Sequence, residues 1–339
     1  MQVSVVIPTF GRPRKVAACV GALAKQTLAH GAYEVLVGVD GGAGGPGVDA
    51  EHAVRSEWKE QSGEAGALKV VQCEKIGQAA VRNRLFAEAQ GRLFVFLNDD
   101  MLPDAGFLAA HLEAHREREK KPALVLGDSP WKRHEPDRLF DRLLRETSMV
   151  FFYDQMKGRG AGAQDREHDW GFRHAWMLNL SIPAALVREV GGLSVFSSTY
   201  GYEDDDLAFR LKQRFNMPIL YRPEAVALHD HRMEPREYLE RERKLGFAAW
   251  GFAAAAPEVA QAMFNRNIRS PEELDYSRLF VERERKAAER LEKSFLQLAD
   301  LPAAAVGPES APIINLIYEQ HLLLKRWHWR KGLTEAAAT

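Results

Sequence analysis

Residues 93–100 read LFVFLNDD, an unbroken apolar run that ends abruptly in an amide and two carboxylates. Five consecutive apolar residues bounded by polar groups predict a short strand buried on both faces. The pattern recurs upstream, at residues 2–9 (QVSVVIPT), 33–40 (YEVLVGVD) and 68–72 (LKVVQ). Helical patterns separate these runs, at residues 14–26, 49–62 and 78–89. Buried strands alternating with helices imply an α/β fold, a mostly parallel Rossmann-like sheet covered by helices on both faces. In such sheets ligands bind in a crevice at the carboxyl ends of the strands. Thr9, Asp40 and Asn98-Asp99-Asp100 all stand at such ends, so one crevice is expected to collect them.

The bulk properties agree with this and exclude some alternatives. The 339 residues are 46% hydrophobic and 27% charged, which suits a packed core rather than disorder. A net charge of −1 provides no global positive field, which argues against a nucleic-acid binder. Cys19 and Cys73 are isolated, giving neither a metal-ligand pair nor a disulfide framework. A reducing cytoplasm is the simplest compartment. The first residues, MQVSVVIPTF, run straight into a strand without a leading basic segment, so no secretory signal is expected. No apolar run approaches the ~18 residues needed to span a bilayer.

Beyond residue 100 the pattern is less regular. Residues 154–170 (DQMKGRGAGAQDREHDW) read as a long loop of the kind that serves as a lid. A helix follows near 184–190, then an acidic cluster at 203–206 opening another helix, and a strand at 219–221. From residue 236 the chain reads as helical, with a long charged helix over 275–299, a linker over 303–312 and an amphipathic helix over 313–331. Ile313, Leu316, Ile317, Leu323, Leu324 and Trp327 form the apolar stripe of that last helix. Lys325, Arg326, Arg330 and Lys331 gather near its end with Trp327 and Trp329. The stripe suits packing on the rest of the chain or on a second copy; the cations and tryptophans equally suit an anionic membrane surface. An α/β domain over 1–235 with a helical extension over 236–339 is the expected division.

Three clusters carry candidate chemistry. Asp99 and Asp100, directly after a buried strand, can hold a hard divalent cation shared with substrate phosphates, or can merely cap the next turn. In YGYEDDDL (200–207) a helix N-terminus accommodates one or two acids. Four repel one another and raise some pKa values unless a cation or substrate lies near. One of them could serve as a general base. His229 and His231, at the end of AVALHDH, are surface residues or metal ligands.

Taken in order, these segments resemble the inverting family 2 glycosyltransferases of GT-A fold, over residues 2–235. The carriers are VSVVIPTFGR (3–12), VGVDGGA (37–43), IGQAAVRNR (76–84), FLNDDM (96–101), MLNLSI (177–182) followed by VGGL (190–193), and GYEDDDL (201–207). The resemblance implies a catalytic domain over 1–235, with a nucleotide-sugar half over about 1–100 and an acceptor half over about 101–235. It implies nucleotide-sugar contacts at Pro8, Thr9, Phe10, Arg12, Asp40, Arg82, Asn98 and Asp99, with Asp40 at the base. Asp204 is then the catalytic base, with Glu203 and Asp205 on the acceptor side. A divalent metal, Mn²⁺ or Mg²⁺, falls to Asp100 and His229, with His231 as second choice. The family's metal motif usually begins with Asp where this chain has Asn98; an amide can still bond a ribose hydroxyl. The expected reaction is hexosyl or N-acetylhexosaminyl transfer from a nucleotide diphosphate sugar, a UDP-sugar by default. The acceptor is a hydroxyl on a glycan, a lipid-linked or a small molecule. A cytoplasmic enzyme is implied, peripheral on the membrane's cytoplasmic face if the last helix anchors it.

Two rivals are weighed against this. A nucleotidyltransferase would carry a Gly- and Arg-rich phosphate loop after the first strand, whereas PTFGRPRK (8–15) holds one glycine. A non-catalytic sugar-nucleotide or glycan-binding scaffold would not need Asp100, Asp204 and His229 together.

Overall fold

The computed structural model describes residues 1–41, 46–63, 66–118, 120–196, 201–307 and 310–339. The end of VGVDGGA, residues 42–43, and Tyr200 at the edge of the acidic cluster lie outside the described residues.

The strands are β1 (Val3–Thr9), β2 (Tyr33–Asp40), β3 (Ala67–Cys73), β4 (Leu93–Leu97), β5 (Met101–Pro103), β6 (Leu124–Asp128), β7 (Asn179–Pro183) and β8 (Ile219–His229). The helices are α1 (Pro13–Leu23), α2 (Pro46–Ser62), α3 (Gln78–Glu88), α4 (Phe107–Arg116), α5 (Leu139–Glu146), α6 (Ala184–Glu189), α7 (Glu203–Phe215), α8 (Pro235–Ala255), α9 (Pro257–Phe264), α10 (Pro271–Ala299) and α11 (Ala311–Ala336). Among the described residues the strands form one sheet in the order β3-β2-β1-β4-β7-β6-β8-β5. β3, β2, β1 and β4 run parallel, with the apolar runs of β1, β2 and β4 inside and the half-buried β3 at the edge. Every residue of β1 and β4 is buried. β7 then enters antiparallel between β4 and β6. The carboxyl ends of β1, β2 and β4 therefore lie side by side on one edge.

β7 is the strand that composition hides. Its Asn179 and Ser181 are wholly buried, a placement that requires partners. His111 of α4 supplies both: its Nδ1 lies 2.8 Å from Ser181 Oγ and its Nε2 2.8 Å from Asn179 Oδ1. The Asn179 amide donates to the carbonyls of Asp128 and Ala225. Burial pushes His111 down to about 4, so it stays neutral and can share these bonds. β8 is longer than residues 219–221, because EAVALH continues the strand and pairs with β5 up to Met101–His229.

The chain packs as two compact units. The first, Met1–Pro130, Met156–Val195 and Glu203–Asp230, holds the whole sheet. The second, Trp131–Gln155, Phe196–Tyr202 and His231–Thr339, holds α5 and α8 to α11. The two units interleave along the chain, with residues 131–155 in the second. The reason is the apolar face of α5: Leu139, Phe140, Leu143 and Leu144 share one core with Tyr238, Phe295, Leu324 and Trp327.

The last helix, α11, spends its aromatic and cationic end inside that second unit. Leu324 and Trp327 are buried, and Arg330 is buried between Glu273, at 2.8 Å, and Ser277. Lys325 donates to the Met149 carbonyl at 2.9 Å. Ile313 and Leu316, on its first turns, remain exposed. Among the described residues no helix is long and apolar enough to cross a membrane.

α8 and α11 touch backbone to backbone. A methyl group at Gly332 would strike the Arg243 carbonyl oxygen, and one at Gly246 that of Trp329. Gly332→Ala is therefore expected to destabilise the second unit by ~1–3 kcal/mol through overpacking. Urea titration followed by far-UV circular dichroism should show it as a lower midpoint; an unchanged midpoint would mean the helices can separate freely.

Candidate active site

The crevice grows from the three adjacent strand ends. β1 delivers Thr9, and Gly11, at φ +65°, turns the chain so that Pro13 can start α1. Arg12 on that turn reaches across to the β4 end. Its guanidinium forks over two carboxylates, 2.9 Å from Asp99 and 2.8 Å from Asp100. Thr9 Oγ1 donates to the other Asp99 oxygen at 2.7 Å. Asp99 and Asp100 are buried while Arg12 is 46% exposed. Burial pushes Asp99 up to about 6; Arg12 opposes that shift and the neighbouring Asp100 adds to it.

β2 delivers Asp40, whose carboxylate accepts the backbone N–H groups of Ile76 at 2.7 Å and Gly77 at 3.0 Å. Gly77, at φ +86°, makes the bend that aims both amides at Asp40 and opens α3. One turn on, Arg82 is 2% exposed and donates to Asn98 Oδ1 at 2.9 Å. Pro8, Thr9, Phe10, Arg12, Asp40, Gln78, Asn98 and Asp99 line one pocket. The sequence-expected donor residues are thereby brought together, with Arg82 behind Asn98 rather than on the wall. Phe10 lies half in solvent, with the Lys75 ammonium 5.0 Å from its ring centre.

β5 follows directly on Asp100, and its pairing with β8 sets His229 opposite Met101. His229 Nε2 then lies 3.7 Å from Asp100 Oδ1, and the Asp230 N–H donates to the Asp100 carbonyl at 2.8 Å. Lys15 pairs with Asp230 at 2.9 Å. His231 belongs to the second unit, where its Nε2 lies 3.7 Å from Glu237. Of the two histidines, His229 is the one beside Asp100.

The four acids opening α7 divide their work. Asp206 accepts from Ser194 Oγ at 2.6 Å and from Arg210, so it is structural. Glu203 is buried and accepts from the Gln78 amide, which ties α7 to α3. Asp204 accepts the Met177 N–H at 3.0 Å. Burial, helped by Glu203 and opposed by Arg82, pushes Asp204 up to about 7. Asp205 is pushed well above the ordinary carboxylate range, by burial and then by Asp204, against the pull of Arg173. A carboxylate poised near 7 can accept a proton and release it again at neutral pH.

Asp100 and His229 can contribute two metal ligands. Among the described residues no group of three or more His, Cys, Asp or Glu side chains is arranged to hold a metal. Two ligands still fit Mg²⁺ or Mn²⁺, which commonly take one or two protein groups and complete their shell with substrate phosphates and water. Gln78, Lys15, Asp230 and Arg173 were not singled out in the sequence. Gln78 alone offered a signal there, as the residue directly after Gly77 in IGQAAVRNR.

The profile described as glycosyl transferase family 2 matches residues 4–173. The chain belongs to this family and has the GT-A fold. The validoxylamine A glucosyltransferase of Streptomyces hygroscopicus subsp. limoneus is 29% identical over 226 residues, 61% of this chain and 47% of that protein. Its counterpart from Streptomyces hygroscopicus subsp. jinggangensis (strain 5008) is also 29% identical over 226 residues, 61% of this chain and 50% of that protein. The chain spans about half the length of these relatives. Among solved structures, the mannosyltransferase PcManGT from Pyrobaculum calidifontis, in complex with GDP-Man and Mn²⁺, superposes with a TM-score of 0.62 at 17% identity. That match covers 99% of this chain and 87% of that one. Residues 1–349 of TarS from S. aureus, in complex with UDP, give a TM-score of 0.50 at 14% identity, over 100% of this chain and 91% of that one. At these identities the likeness concerns the fold.

Proposed function

We propose that this chain is an inverting, metal-dependent glycosyltransferase that moves a sugar from a nucleotide diphosphate donor to an acceptor hydroxyl. The observation that carries the reading is Asp204, whose Oδ1 is shielded from solvent without a hydrogen-bond partner among the described residues, on the same unit as the Thr9–Asp40–Asn98–Asp99 pocket. Phe10 offers a flat face for a nucleobase at the pocket mouth, and Asp40 a carboxylate for its N–H edge. Arg12 supplies a planar double donor for the diphosphate. Asp100 and His229 would hold the divalent cation, which, when bound, neutralises the charge of the departing nucleotide diphosphate. Asp204 takes the acceptor proton as that oxygen bonds the anomeric carbon from the face opposite the leaving group. The anomeric carbon–phosphate oxygen bond breaks in the same displacement, so its configuration inverts. Glu203 and Asp205 flank the base and suit hydroxyl recognition.

UDP-sugars are the first donors to try, with UDP-glucose and GDP-mannose suggested by the similar proteins. The acceptor is a glycan, a lipid-linked or a small polyhydroxy molecule. Buried, unbridged Cys19 and Cys73 support a reducing compartment. A thermal-shift panel of nucleotide sugars, with and without Mn²⁺, tests the reading. A shift of several degrees for one donor, dependent on Mn²⁺, is expected. No shift with any donor, and no donor hydrolysis, would leave a non-catalytic scaffold as the better reading.

The poised base also predicts a pH profile. Asp204 accepts a proton only when ionised, and its value is raised to about 7. Turnover should therefore rise with pH through about 7 and fall tenfold per unit well below it. A profile flat from pH 5 to 8 would remove Asp204 from the chemistry.

A further inference from the structure

Arg12 stands where the proposed cation would have to work. Its two terminal nitrogens are each engaged by a different carboxylate, Asp99 and Asp100, so the fork spans the pair. Close by stand Asp230, paired with Lys15, and the imidazole of His229, 3.7 Å from Asp100. A divalent cation taking Asp100 Oδ1, the oxygen that faces His229, would share the carboxylate with the guanidinium bonded to Oδ2. Two cations on one buried carboxylate repel strongly where water screens little. Yet Arg12 is half exposed, on a long stem, and lines the same pocket as Asp99 and Asn98. Rotation of its side chain alone would release the carboxylates, provided another anion receives it. A nucleotide diphosphate in that pocket is such an anion, since guanidinium binds phosphate oxygens as a fork just as it binds carboxylates.

We propose that Arg12 is the resting counter-ion of the Asp99–Asp100 pair and yields its place to a divalent cation by transferring to the diphosphate of the incoming nucleotide. The inference rests on the donor-and-metal reading of this site. Its consequence is coupling: the cation binds poorly alone, and nucleotide and cation strengthen each other by the same factor. Arg12 thereby keeps Asp99 and Asp100 compensated between turnovers.

The test measures Mn²⁺ binding directly, from the free-ion electron paramagnetic resonance signal, on the full chain alone and with UDP or GDP. Wild-type protein should bind Mn²⁺ at least tenfold more tightly with one of these nucleotides. Arg12→Met keeps the stem and removes the charge. It should tighten nucleotide-free Mn²⁺ binding tenfold or more and shrink the nucleotide's effect to about threefold or less. Lys15→Met removes a nearby cation that does not touch Asp99 or Asp100, and should change Mn²⁺ affinity by about threefold or less. Circular dichroism confirms that each variant is folded. If Arg12→Met and wild type bind Mn²⁺ equally without nucleotide, while a nucleotide still recruits the ion, the counter-ion role is wrong and the metal site stands. If Lys15→Met matches Arg12→Met, the effect is diffuse charge and the proposal fails. Absence of Mn²⁺ binding in every form, with either nucleotide, overturns the metal reading and the counter-ion role with it.

Discussion

Asp204→Asn should cut turnover by about 10²–10⁴ while leaving donor binding close to wild type. The amide keeps the shape and the oxygen that accepts the Met177 N–H, so the backbone around the site has no reason to move. What is lost is the capacity to take the acceptor proton. Arg82 and Glu203 remain in place, and the donor pocket contains no atom of Asp204. The measurement is a donor titration by calorimetry beside steady-state kinetics on one acceptor. The variant should also lose the rise of activity through about pH 7. Near wild-type turnover would move the search for the base to Glu203 and Asp205. Product analysis by NMR should show an inverted anomeric centre; retention would contradict single displacement.

Removal of the metal is the second large effect. EDTA followed by exhaustive dialysis should abolish transfer, and Mn²⁺ or Mg²⁺ should restore it. Asp100→Ala should lower turnover by roughly 10²–10³, the scale for removing one preorganised partner of transition-state charge. Nucleotide affinity measured with Mn²⁺ should fall in parallel, because Asp100 would help hold the cation that offsets the diphosphate's charge. His229→Ala should behave similarly, since its Nε2 faces the same Asp100 oxygen. His231→Ala should not, as its ring lies near Glu237 in the second unit. Full turnover after dialysis in EDTA would remove Asp100 and His229 from a metal role.

The strands β1, β2 and β4 could be read from residue types because strands buried on both faces are mostly apolar, the buried Ser4 and Glu34 being satisfied by their own hydrogen bond. Their ends could be read for the same reason: Thr9, Asp40 and Asn98 stand where the apolar run stops. β7 could not, because Asn179 and Ser181 are polar residues made tolerable in the core by partners distant in the chain: His111 and His115 of α4 and the carbonyls of Asp128 and Ala225. In YGYEDDDL, residue type alone does not separate the four acids, and only the resemblance marked out Asp204. Their partners come from distant parts of the chain: Gln78 for Glu203, Met177 for Asp204, and Ser194 for Asp206, with Arg210 one turn on.

Local sequence therefore settled the α/β class, the strand ends that make the crevice, and the residue types able to bind a nucleotide and accept a proton. Alternation and apolar runs record which faces are buried, and burial is what a strand's own residues must satisfy. Tertiary structure decided the pairings across the chain. The β5–β8 register put His229, and not His231, against Asp100. The reach of Arg12 over Asp99 and Asp100 joined two strand ends 87 residues apart or more. The core shared by α5 with α10 and α11 drew residues 131–155 into the second unit and turned the Trp- and Arg-rich end of α11 inward. Charges and amphipathic faces state only that a partner is needed. Which partner meets them depends on distances that the folded chain alone establishes.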